Sequence, residues 1–335
     1  MPDLTARPDP IAPMTIDEID PSLHAALAKV PTLKLENPLM LAIIGRASKL
    51  QPGAHVDGVE RRVVHDGAVR VRVFTPAGPN GSALLWIHGG GLVMGSAAGD
   101  DRFCGETARE TGAVVVSVDY RLAPRHPFPA ANDDVRDAYA WIVGHVAELG
   151  VDAARIAIGG ASAGGGLAAA LVQRLHDEGE PVAAQWLFCP MLDDRTAADR
   201  SHDLRHHLVW NNRSNLVGWR SYLGFEPGAA EVPAYAVPGR RTDLAGLPPA
   251  WLTWTDLELF AAEDAAYAQA LAEAGVDVSF EIVSAAPHGF DVWGGQTELA
   301  QRLFVGAREW LARQLAVGGP TGAGELDARP EASVD

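Results

Sequence analysis

From Val69 onward the chain alternates short apolar runs with stretches of helical period. The runs are ALLWI (83–87), AVVVSV (113–118), RIAIG (155–159), AQWLFC (184–189), AWLTW (250–254) and VSFEIV (278–283). Near-continuous apolarity, rather than strict alternation, marks strands buried on both faces. Helical stretches separate most of them, among them residues 133–148, 163–177 and 261–274. Strand–helix–strand order predicts a mainly parallel sheet flanked by helices. Upstream, RRVVHDGAVRVRVF alternates about an Asp66-Gly67 turn and predicts a hairpin that adds an antiparallel edge. Two short amphipathic helices, over 22–30 and 39–50, are expected before it, divided by Pro31 and Pro38.

One connection breaks this rhythm. About sixty residues lie between Cys189 and Ala250, far more than a crossover needs. They include HHLVWNNRSNLVGWRSYLG, which predicts an inserted helical cap with the N-terminal helices as its partner. The expected division is then 1–52 as N-terminal cap helices, 53–192 and 227–316 as the α/β body, and 193–226 as the inserted cap segment. The small, polar stretch 317–335 is expected to be disordered.

Composition narrows the function classes. The 335 residues are 47% apolar, enough for one large domain or two modest ones. No run of about eighteen apolar residues occurs, so no membrane span is predicted. The start, MPDLTARPDPIAPM, has neither the basic nor the apolar region of a signal peptide, and a cytoplasmic location is expected. Cys104 and Cys189 form no CxxC pair and read as two buried thiols. The net charge of −16, unbroken by any basic run, repels phosphate backbones and anionic membranes, so neither partner is expected. His202, His206 and His207 cluster without a further ligand at metal spacing and read as a polar loop, not a metal site.

Three motifs carry chemistry. RIAIG runs into GASAGGG and a helix, which places Ser162 in G-x-S-x-G at a strand-to-helix turn. Small residues on either side let strand and helix pass closely while the turn presents the serine, and the helix N-terminus favours negative charge there. A P-loop would need a Lys-Ser/Thr pair, and no lysine follows. HGGG, His88 to Gly91, follows ALLWI and offers uncovered backbone N–H groups, as an oxyanion hole requires. The rival is a dinucleotide loop through Gly89, Gly91 and Gly95 with Asp119 as its ribose acid; it explains neither His88 nor the serine turn. APHGFD places His288 just past the last strand, where an α/β sheet gathers its functional loops.

An acid is still needed to orient His288, and WTDLELFAAED (254–264) follows the AWLTW strand. Glu263 and Asp264 fall on the next helix, where acids near an N-terminus usually face water. Asp256 and Glu258 remain, two apart and so on one side of an extended segment. Aspartate is the commoner acid in such sites, and these residues alone leave both open.

HGGG, DYRLAPRHPFPAANDD (119–134), GASAGG and APHGFD together resemble the hormone-sensitive-lipase-like family of α/β-hydrolases, from about Val69 to Leu315. The resemblance implies a mainly parallel eight-stranded sheet with a helical cap, serine carboxylesterase activity, no cofactor, and dimers through an edge strand. That family sets its acid before Leu-Phe or Pro-Leu with a tyrosine nine positions on. Glu258, followed by Leu259, Phe260 and later Tyr267, matches it. Two positions depart from the pattern, Ala161 before the serine and Arg125 in place of a glutamate. Neither is a reacting group. Tyr120 and Arg121 read as structural.

The expected site is therefore Ser162, His288 and Glu258, with the N–H groups of Gly90, Gly91 and Ala163 (Gly89 as substitute) as oxyanion donors. Leu208, Val209, Trp210, Trp219 and Tyr222 combine bulk with little charge and are expected to line the substrate pocket. The expected reaction is hydrolysis of short- to medium-chain carboxylic esters through an acyl-enzyme. Amidase, lactonase or acyltransferase chemistry uses the same groups, and a catalytically silent small-molecule receptor is the remaining rival.

Overall fold

The computed structural model describes residues 14–31 and 34–316. Eight strands form one sheet: β1 Val59–Asp66, β2 Val69–Pro76, β3 Ala83–Ile87, β4 Val114–Val118, β5 Ile156–Ala161, β6 Ala184–Phe188, β7 Ala250–Thr255 and β8 Val278–Val283. Their order is β1-β2-β4-β3-β5-β6-β7-β8. β1 and β2 pair antiparallel, as do β2 and β4, and every other pair is parallel. The hairpin turns at Gly67, whose φ is +57°.

The helices of ten or more residues are α1 Pro38–Ala47, α2 Asp101–Thr111, α3 Ala130–Gly144, α4 Ala163–Glu178, α5 Asn212–Leu223, α6 Ala261–Glu273 and α7 Glu298–Ala316. α3, α4 and α6 cover one face of the sheet, and α2 and α7 cover the other. Side-chain alternation explains why the central strands are apolar throughout. In β3, Leu85 and Ile87 enter the first core while Leu84 and Trp86 enter the second. Each such burial contributes about 1.5–3 kcal/mol, so a polar residue on either face would be costly.

Two expected elements differ. The helix expected over 22–30 is a 3-10 turn, Pro21–Leu23, followed by a single α turn, His24–Leu27. No side chain caps that turn, and so short a helix is marginal by itself. The stretch expected over 133–148 starts at Ala130, breaks at His145 and resumes over Val146–Leu149, where Gly150 ends it in the left-handed region. α1 keeps its expected place because Asn37 accepts the N–H groups of Leu39 and Met40. The expected tail, 317–335, lies outside the described residues, as does the Pro-rich start up to residue 13.

The long connection carries a short helix, Asp194–Ala198, a 3-10 segment, Arg200–Leu204, and α5. Its two ends are tied together: the buried carboxylate of Asp194 meets Arg240 at 2.7 Å and accepts the N–H of Gly228 at 2.7 Å. Trp219, Tyr222 and Leu223 of α5 join the core on the α3–α4 side.

Candidate active site

Ser162 stands between β5 and α4 with φ 54° and ψ −120°, a conformation that non-glycine residues rarely adopt. The surroundings hold it there. Its N–H donates to Phe188 at 2.7 Å, and its carbonyl accepts from Met191 at 2.9 Å and Gly166 at 3.0 Å. The flanking glycines are sterically required. A Cβ on Gly160 would lie 2.3 Å from the Gly164 carbonyl oxygen, and one on Gly164 would lie 2.1 Å from that of Ile87.

The same sterics shape the loop after β3. Gly90 has φ +119°, and a Cβ there would lie 2.1 Å from the Met94 carbonyl oxygen; one on Gly91 would enter the Trp210 ring. The N–H groups of Gly90 and Gly91 make no hydrogen bond among the described residues. His88 anchors this loop from beneath. It stacks on Tyr120 at 4.3 Å, its Nδ1 lies 2.8 Å from the Gly89 oxygen, and the Tyr120 hydroxyl donates to the His88 carbonyl at 2.9 Å. Burial pushes His88 down to about 4, so it stays neutral near pH 7. Arg121 pairs with Asp134 at 2.7 Å. Asp119 accepts from Lys49 at 2.9 Å and from the Ala97 N–H, a bracing role with no ribose geometry.

His288 follows β8 and reaches both neighbours. Its Nε2 lies 2.8 Å from Ser162 Oγ, and its Nδ1 bonds Glu258 Oε2. The other Glu258 oxygen accepts the Thr255 N–H at 2.6 Å. With an ionised Glu258, Nδ1 must be the donor, which leaves Nε2 to accept the serine proton. Phe260 packs edge-on against the imidazole with centroids 5.1 Å apart. Asp256, by contrast, is exposed, and its carboxylate accepts the Ala285 N–H at 2.8 Å. It ties the turn after β7 to the loop after β8 and does not touch His288.

The expectation that Glu263 and Asp264 face water is overturned. Glu263 is 9% and Asp264 0% exposed. The first turn of α6 lies beneath the near end of the long connection. Glu263 accepts the N–H groups of Leu192 at 2.7 Å and Asp193 at 3.2 Å, together with the Thr196 hydroxyl. Burial pushes Glu263 up to about 8. Among the described residues neither carboxylate oxygen of Asp264 has a hydrogen-bond partner, and burial, reinforced by the charge of Glu258, raises it well above the usual range.

Cys104 and Cys189 are free and buried. Cys189 lies behind the site, its sulfur converging with Glu258 and His288 atoms within 4.8 Å. Burial raises its thiol well above the ordinary value, which makes it a poor nucleophile. From sequence Cys189 reads only as a buried thiol and Asp264 as an acid facing water; the fold brings both near Glu258. His202, His206 and His207 form no convergent ligand group among the described residues.

On the connection, Leu208 and Val209 are half-buried, and Trp210 packs its ring over Gly91. Trp219 and Tyr222 lie deeper. With Ala163, Leu167 and Met191 they enclose a recess of about 10 Å³, room for roughly one water. The Tyr222 hydroxyl donates to Asn132 at 2.6 Å.

The profile of a family described by the α/β-hydrolase fold matches residues 84–292. Esterase LipI of Mycobacterium tuberculosis is 34% identical over 254 residues, covering 70% of this chain and 79% of its own. Carboxylesterase NlhH of the same species is 32% identical over 302 residues, covering 85% and 90%. The solved structure of a bacterial heroin esterase superposes with a TM-score of 0.81 at 37% identity, over 90% of this chain and 99% of that one.

The chain belongs to the hormone-sensitive-lipase-like α/β-hydrolases.

Membership makes it a carboxylic ester hydrolase, as its relatives are named. The esterase fold accounts for the antiparallel β1–β2 edge and for the position of the serine turn at the carboxyl end of β5. Among its described residues no helix is long and apolar enough to cross a membrane.

Proposed function

We propose that Ser162, His288 and Glu258 are the catalytic triad of this esterase, acting on small carboxylic esters of short to medium acyl chain. The observation that carries this reading is the single imidazole bonded on one side to Ser162 and on the other to Glu258. His288 Nε2 takes the serine proton as Oγ attacks the ester carbonyl, and Glu258 steadies the imidazolium that forms. The N–H groups of Gly90, Gly91 and Ala163 receive the oxyanion, with the α4 N-terminus behind them. On collapse, His288 hands the proton to the leaving alcohol. Water, deprotonated by the same nitrogen, then releases the acid from the acyl-serine.

Leu208, Val209, Trp210, Trp219 and Tyr222 form the apolar wall against which the ester lies in this reading. The tight packing of Trp219 and Tyr222 against Ala163 favours short acyl chains. Residues 1–52 and 193–226 serve as the cap over a body of 53–192 and 227–316, and the enzyme works in the cytoplasm. β8 closes the sheet with Phe280 49% exposed, and we assign it as the pairing edge of a homodimer. Sedimentation of the 35.4 kDa chain at its monomer mass would remove that assignment.

The triad is tested with an organophosphonate. One labelled peptide containing Ser162 is expected, and Ser162→Ala should lose at least about three orders of magnitude in kcat. Labelling at another serine, or near-normal turnover by the variant, refutes it.

A further inference from the structure

A cleft of about 670 Å³ opens on the α2–α7 side of the sheet, lined by neither Ser162 nor His288. Four aromatic side chains (Trp86, Phe103, Trp293 and Phe304) and three acids, Asp100, Glu106 and Asp291, line it. Asp291 is only 9% exposed. Asp100 accepts the Trp86 indole N–H at 2.7 Å. Among the described residues, no lysine, arginine or histidine forms an ion pair with Asp100 or Asp291. Lys29 and Arg102 stand at the exposed rim.

Two carboxylates in a low-dielectric cleft without a counter-cation are unfavourable. Burial pushes each of them up to about 6, and Asp291 adds to the rise at Asp100. Two groups can relieve them, a proton or a cation brought by a ligand. The wall chooses between kinds of cation. A hard metal ion needs about six oxygens, whereas this wall offers four aromatic rings among small apolar residues, which suits an alkylated ammonium. The rings already show that preference from behind. The Arg308 guanidinium lies 5.4 Å from the Phe103 ring and 5.2 Å from that of Phe304. Its own charge is answered by Glu110 at 2.8 Å and by the third lining acid, Glu106, at 3.5 Å, and it makes no ion pair with Asp100 or Asp291. The volume fits a small organic molecule.

We propose that this cleft binds a small organic ammonium ion, with Asp100 and Asp291 as counter-ions and the four rings as its wall. The cleft also borders the triad segments, because Ala161 precedes Ser162 and Asp291 follows His288 by three positions. The ammonium group is therefore either part of an ester substrate or a separate ligand that sits beside it.

Calorimetry on the full chain with (3-hydroxyphenyl)trimethylammonium tests this independently of turnover. One-to-one binding is expected, at least about tenfold tighter than that of the uncharged isostere 3-tert-butylphenol. Asp100→Asn combined with Asp291→Asn should weaken the ammonium by about tenfold or more. Should that pair fail to fold, Phe103→Leu at the half-buried wall should weaken it by about threefold. Competition with p-nitrophenyl butyrate would assign the ammonium to the substrate, and binding without competition would make it a separate ligand. No heat at about 10 mM probe, equal binding of the isostere, or binding unchanged in the variants would overturn the proposal.

Discussion

The serine turn and the inserted segment meet at Gly91 and Trp210, yet they are held in different ways. Around Ser162 the backbone itself is the constraint: strand, helix and the loop after β3 approach so closely that Gly160, Gly164 and Gly90 have no room for a methyl group. The insertion is held at its ends by side chains, Glu263 under one end and the Asp194–Arg240 pair across both. Between those ends Leu204 is 54% exposed. The proposed nucleophile thus stands on backbone that has little room to shift, while the proposed substrate wall hangs from replaceable contacts. That separation lets the cap vary without disturbing the chemistry.

The sharpest way to break this contrast is at the acid. Glu258→Ala should lower kcat by roughly 10⁴-fold, while Asp256→Ala, which loses one bond to the Ala285 N–H, should cost less than about tenfold. The reverse ranking would move the acid to Asp256 and make the contact between Glu258 and His288 incidental.

A smaller effect is expected on the cap side. Trp210→Leu keeps apolar bulk over Gly91 but alters its shape, and should change the ratio of p-nitrophenyl acetate to octanoate turnover by about tenfold. If only the melting temperature moves, Trp210 merely packs the cap onto the body.

The smallest concerns the anchor beneath the insertion. Burial raises Glu263 from 4.5 to about 8, so between those values the folded state holds a proton that the unfolded state has released. Its contribution to stability is complete below about pH 4.5 and is lost as pH rises through 8. Glu263→Gln has no proton to lose. Its melting temperature should therefore fall less than the parent's between pH 6 and 9, by about 2 °C or more. Parallel profiles would show that Glu263 is ionised where it lies.

How far the site was legible depends on the range of the interactions involved. Strand content, the Asp66-Gly67 hairpin and the serine turn follow from local rules, namely side-chain period, turn conformation and the room a glycine leaves, and each reappears within a residue or two. The choice between Asp256 and Glu258 did not follow from those rules, since two residues on one side of an extended segment have equal claim. Motif register favoured Glu258. The contact arose only when the loop after β8 folded against the turn after β7, a meeting of segments thirty residues apart.

Glu263 and Asp264 mark the same boundary from the other side. Acids in a helix's first turn usually face water, but here the long connection covers that turn, and their exposure follows from its neighbours. The sequence by itself determined the order of strands along the chain, the serine between glycines and the histidine after the last strand, because sterics and period act over a few residues. Tertiary structure alone decided which acid meets His288, which carboxylates lose their water, and where Asp100 and Asp291 come to share a cleft. Those outcomes depend on which distant surfaces are pressed together, and on the charge and solvent trapped between them.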